Sequence, residues 1–153
     1  MNTYNLNTAE ARLSEQKTAA FLTSGASMRP LIRSRKDIVV ISRIDAPVKR
    51  GDVLLYKKAG VQNLILHRVI EVQDGLYITR GDNTYHKEYI SKDDAVGVMT
   101  ALYRGGKFID PKKSMAYNMY VFFNRIFYPI RYIYNVYVRP ILSKFKRAII
   151  AKK

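Results

Sequence analysis

Residues 63–80, NLILHRVIEVQDGLYITR, decide how the chain is read. Two runs rich in Leu, Ile, Val and Tyr flank the dipeptide Asp74-Gly75. Asp-Gly supplies the positive φ angles that a two-residue hairpin turn requires, so the stretch predicts antiparallel strands over 63–72 and 75–80. Four further runs share this β-branched and aromatic texture: AAFLTS (19–24), DIVVISR (37–43), DVLLYKK (52–58) and AVGVMTALYR (95–104). Turn signals separate them at Pro47 to Gly51, Ala59-Gly60, Gly81 to Asn83 and Gly105-Gly106. No internal repeat is visible. The fold class expected is mainly β, one antiparallel domain over residues 19–110. Upstream, Asn7 with Glu10 fits a capping box, and Ala9, Ala11 and Leu13 suit a helix, which predicts a short helical segment within residues 1–18.

Past Pro111 the texture changes. The segment MAYNMYVFFNRIFYPIRYIYNVYVRPILSKFKRAII holds six of the twelve Tyr and four of the six Phe. Its longest uncharged stretch within residues 111–153, Ser114 to Asn124, has 11 residues, against the roughly 20 that a spanning helix needs. Pro129 and Pro140 interrupt any single long helix. The pattern predicts two or three short amphipathic helices with basic and aromatic faces. Arg125, Arg131, Arg139, Lys144, Lys146 and Arg147 are the candidate membrane-contacting residues.

Charge supports that expectation. The chain has 27 basic and 12 acidic residues, net +15, and no Asp or Glu follows Asp110. Ten basic residues lie in the last 43 positions. Such a balance predicts a polyanionic partner, either an anionic membrane surface or nucleic acid. The membrane surface is preferred, because one short helix ahead of the β domain makes no helix-turn-helix. The absence of cysteine excludes disulfides, thiolate catalysis and cysteine-based zinc sites. Two histidines, His67 and His86, are too few for a metal cluster, so no metal and no cofactor is expected. The N-terminal residues MNTYNLNTAEARLSEQK are polar and form no apolar signal-peptide core.

Three short stretches carry chemistry. GASMRP places Ser27 in a turn behind Gly25 and ahead of Pro30, LHRV places His67 in a strand, and TRGDN places Asp82 at a strand end. A serine hydroxyl needs a base, and the base needs a third group to fix its tautomer. Each residue also has a plainer reading: Ser27 in an ordinary turn, His67 as a core histidine, Asp82 tying its own turn through backbone amides. Arg68 reads as a solvated or ion-paired strand residue, and Lys57 or Lys58 is an alternative amine base.

The boxes occur in a particular order. GASMRP is followed by Asp37-Ile-Val-Val-Ile, Lys49-Arg-Gly-Asp-Val-Leu-Leu-Tyr, Leu66-His-Arg-Val-Ile and Thr79-Arg-Gly-Asp-Asn. This succession, over residues 24 to about 104, resembles the type I signal peptidase and LexA-like serine peptidase superfamily. Bacterial members generally place a lysine base on the strand that here carries His67, so the resemblance is to the endoplasmic-reticulum and archaeal variant, without the family's N-terminal membrane helix. It implies the superfamily's antiparallel β fold, Ser27 as nucleophile, His67 as general base and Asp82 as third member, with Asp93 and Asp94 as alternatives. On that reading Gly25 and Ala26 admit a substrate backbone, Met28 packs beneath the turn or lines the substrate groove, Pro30 stiffens the turn and the Ser27 amide faces the oxyanion.

The function expected is therefore a serine endopeptidase acting on a leader- or signal-like peptide or protein substrate, in the cytoplasm and peripherally bound to a membrane by the tail. A catalytically silent binding module of the same fold, or a LexA-like regulator at membrane or nucleic acid, is the alternative.

Overall fold

The computed structural model describes residues 11–13 and 15–150, with side chains through Lys144. Residues 11–13 and 15–16 are helical (α1), and the expected capping pair Asn7 and Glu10 lies outside the described residues. Eight strands follow: β1 (Thr18–Leu22), β2 (Ile38–Ser42), β3 (Val53–Lys58), β4 (Val61–Gln73), β5 (Leu76–Arg80), β6 (Glu88–Ser91), β7 (Ala95–Arg104) and β8 (Lys107–Ile109). All pair antiparallel in one sheet of order β1-β2-β7-β3-β4-β5-β6, with β8 on β7. The chain is mainly β, as its pattern predicts.

The Asp74-Gly75 hairpin forms with both residues at positive φ, 37° and 85°, and it sets the β4–β5 register. Period-two alternation then sorts side chains by face. Leu54, Tyr56, Val69, Tyr77 and Ile90 gather with Val48 into a buried apolar cluster. A fully buried side chain of this size contributes about 1.5–3 kcal/mol, so this cluster holds β3 to β6 in place. The register puts Leu54 opposite His67, Val69 opposite Thr79, and Thr79 opposite Glu88. His67, Tyr56, Thr79 and Glu88 consequently share the face of that cluster.

Among the described residues two strands lack a second sheet neighbour beside the site. There β1 pairs in the sheet with β2 alone. β5 takes up its pairing with β4 at Arg68, so the earlier residues of β4 are paired only with β3. Both edges flank the site described below.

The chain divides into two compact units, Met1–Asn118 and Met119–Lys153. The sequence places the boundary near residue 110. Tyr117 explains the later position: it is buried, and its hydroxyl accepts a hydrogen bond from Arg68 at 3.1 Å. The downstream residues are helical, in α2 (Met115–Ile126), α3 (Tyr128–Ile133), a π-helical turn (Tyr134–Val138) and α4 (Arg139–Ile150). Pro129 and Pro140 sit at the second positions of α3 and α4, where a first turn tolerates a missing N–H. Among the described residues no helix is long and apolar enough to cross a membrane.

Candidate active site

Ser27 lies in a tight turn between β1 and β2, built by local main-chain bonds. The Arg29 amide donates to the Ala26 carbonyl at 3.2 Å, and the Ile32 amide to the Met28 carbonyl at 3.0 Å. Gly25 takes φ of +103°, a conformation that disfavours any side chain, and its amide donates to Ser34 Oγ at 3.1 Å. Met28 is buried beneath the turn and lines the cleft together with Gly25 and Ser27, whereas Ala26 and Pro30 are exposed. Among the described residues the Ser27 amide has no hydrogen-bond partner, and it is a ready donor for an oxyanion.

The turn rests on the loop after β5. The Asn83 amide donates to the Ser27 carbonyl at 2.7 Å, and Asn83 Nδ2 donates to the Ala26 carbonyl at 3.3 Å. Gly81 is pressed against the same turn: a Cβ there would stand 2.7 Å from the Ser27 carbonyl oxygen and 3.0 Å from Ser27 Cβ. The Gly-Asp-Asn sequence is thus a platform for the Ser27 turn.

His67 and Ser27 line one cleft of about 380 Å³. His67 Nδ1 lies 2.7 Å from Glu88 Oε2 and 3.0 Å from the Tyr56 hydroxyl. Tyr56 donates a short hydrogen bond to the same carboxylate oxygen and accepts one from Thr79 Oγ1 at 3.3 Å. Lys58 Nζ is 2.5 Å from Glu88 Oε1. With Nδ1–H directed at Glu88, Nε2 carries the ring's lone pair. Among the described residues no hydrogen bond joins Ser27 Oγ to His67; such pairs are often loose without substrate.

Electrostatics follow from these contacts. Burial lowers the His67 pKa below its ordinary value, and Glu88 offsets part of that effect. The ring is thereby neutral and basic near neutrality. Burial works against the Glu88 charge, but hydrogen bonds from Lys58, Tyr56 and His67 outweigh it and hold the carboxyl at about 2. Burial, reinforced by Glu88, pushes the Tyr56 phenol far up, so Tyr56 remains a donor.

The third position differs from the sequence expectation. Asp82 is buried in a two-point ion pair: Arg68 Nε and Nη2 approach its two carboxylate oxygens at 2.7 Å each. Arg68 Nη1 also donates to the Gly51 carbonyl at 2.7 Å. A buried guanidinium demands a counter-charge, and Asp82 satisfies it. Asp93 and Asp94 are exposed in a short 3-10 turn. The carboxylate on His67 is Glu88. The residue was missed because β6 is a four-residue strand, EYIS, with weak periodicity. The signal available was a lone acidic residue opening a short run six positions beyond Asp82. Lys58, weighed as an amine base, instead grips Glu88. His86 is exposed.

The tail candidates divide. Arg125, Arg139 and Lys144 are exposed. Arg131 is half-buried and donates to Asn124 Oδ1 at 2.6 Å. The side chains of Lys146 and Arg147 lie outside the described residues. Phe122, Phe123, Phe127, Ile130, Ile133 and Tyr137 are all exposed.

Compared with known proteins, the chain matches no protein-family model and no curated protein.

Proposed function

We propose that the chain is a serine endopeptidase that cuts an extended peptide, similar in design to the type I signal peptidases. Ser27 is the nucleophile, His67 the general base and Glu88 the group that orients the imidazole. The single observation carrying this reading is that Ser27 and His67 line one cleft while His67 Nδ1 is held at 2.7 Å by a carboxylate. That leaves Nε2 to take the Ser27 proton as Oγ attacks the scissile carbonyl. The Ser27 amide then faces the developing oxyanion, and the loss of one such donor costs roughly 10²–10³-fold in rate. Imidazolium, stabilised by Glu88, returns the proton to the leaving amine. A water, deprotonated in turn by His67, releases the acyl chain.

An extended substrate fits strands β1 and β4: among the described residues each is paired on one side in the sheet where it borders the cleft, and a peptide can add there as a further strand. The test is hydrolysis of a peptide library by the full chain. Wild-type turnover that vanishes in Ser27→Ala and His67→Ala supports the assignment; equal turnover by Ser27→Ala rejects it.

As part of the same proposal, the tail holds this activity at an anionic membrane surface. Support comes from exposed aromatic and aliphatic side chains on α2 to α4 and from ten basic residues without one acidic residue after position 110. Each basic residue near an anionic leaflet contributes about 1 kcal/mol, and aromatic residues add apolar burial. Co-sedimentation with phosphatidylserine vesicles, weakened by salt, is expected. Equal retention on purely zwitterionic vesicles would reject the electrostatic part.

A further inference from the structure

The cleft beside Ser27 is apolar down to its floor. Phe21, Met28, Ile32, Val39, Ile41 and Leu55 line it, and each is 8% exposed or less. Side chains this buried form an apolar wall of the cleft. Its polar lining consists of Thr23, Ser24, Ser27, Asn63 and His67. Among the described residues no Asp, Glu, Lys or Arg lines it, in a chain with 27 basic and 12 acidic residues.

We infer that this cleft selects an uncharged peptide segment carrying a large aliphatic side chain, which occupies the floor beside Ser27. The inference rests on the peptide-binding reading above and deepens it by naming the substrate class. An alanine methyl leaves most of about 380 Å³ unfilled, and unfilled apolar walls forgo contact. Each additional buried methylene strengthens binding about fourfold. Leucine in place of alanine is therefore expected to bind roughly ten- to hundredfold tighter. An ionised side chain loses its water there and meets no counter-charge among the lining residues. In an alanine background the large residue also sets the register, because only one placement puts it on the floor.

The experiment is an NMR titration of full-length ¹⁵N-labelled Ser27→Ala protein with capped octapeptides of Ala and Ser. The fourth residue is Ala, Leu or Asp. The expected result is amide shifts at Thr23, Gly25 and Leu66, saturating at least tenfold earlier with Leu than with Ala and absent with Asp. Equal affinity for Ala and Leu, comparable binding of Asp, or no cleft shifts with any peptide overturns the inference. Hydrolysis by wild-type protein is measured in parallel. Selective binding without hydrolysis supports the cleft inference and rejects the peptidase reading. Hydrolysis with equal kcat/KM for Ala and Leu peptides keeps the peptidase and rejects the selectivity.

Discussion

Glu88 and Asp82 are both carboxylates within six positions of each other, and their partners give them opposite tasks. Glu88 meets a neutral imidazole, a phenol and an exposed ammonium. Asp82 meets a buried guanidinium whose charge it neutralises. Substitutions that keep shape but remove charge separate the two. Glu88→Gln is expected to reduce kcat/KM by roughly 10²–10⁴, because His67 loses the partner that fixes its tautomer and stabilises its cation, with a stability loss smaller than that of Asp82→Asn because Glu88 is partly exposed. Asp82→Asn strands Arg68 in the interior and is expected to destabilise the fold by about 3–5 kcal/mol. Urea unfolding and steady-state kinetics on both variants check this, and the reverse ranking contradicts it. Ser27 and His67 were legible as candidates because their residue types are chemically unusual where they stand. The choice between carboxylates was not legible: Asp82 sits in a conspicuous Gly-Asp-Asn turn, and only the fold reveals that Arg68 claims it.

At the scale of elements, three turns and four strands make the site. The hairpin at Asp74-Gly75 fixes β5 against β4, the β4 register brings His67 level with Leu54, and β6 carries Glu88 to Thr79. The loop after β5 then braces the Ser27 turn through Gly81 and Asn83. Gly81→Ala tests that bracing. Its methyl would stand 2.7 Å from the Ser27 carbonyl oxygen, a backbone atom that cannot swing aside. Overpacking of this kind costs about 1–3 kcal/mol, and the displaced nucleophile turn is expected to lose at least tenfold in kcat/KM. Full activity with unchanged stability would contradict it. All six long strands were readable from texture and turn residues. β6 and β8 were not, because four and three residues give too few alternations to show a period. The site was therefore half-readable: the elements bearing Ser27 and His67 are strongly patterned, and the one bearing Glu88 is not.

For the whole molecule, charge and protonation set the working conditions. His67 must be neutral to act as a base, and burial lowers its pKa beneath the ordinary 6.5, with Glu88 offsetting part of the effect. Activity is expected to be full above pH 6.5 and to fall through an apparent pKa below that value. Glu88→Gln should move the midpoint lower still, since it removes a negative charge that favours imidazolium. Stability follows the same sign. The unfolded chain binds a proton at His67 more readily than the folded one, so stability declines as pH drops below 6.5. Glu88, held near 2 against an ordinary 4.5, adds a second loss between those values. Urea midpoints that fall from pH 7 to 5 and again from 5 to 3 agree with this; midpoints that rise on acidification contradict it. The basic tail was legible from composition alone, because a run of 43 residues without one carboxylate needs no fold to be seen. The most direct test of the central claim is covalent labelling of the folded chain with a fluorophosphonate, followed by peptide mass mapping. The account predicts one adduct, on Ser27, formed in wild type and suppressed at least a hundredfold in His67→Ala. Equal labelling of Ser27 in wild type and His67→Ala, or none on Ser27 in correctly folded wild type, would contradict it.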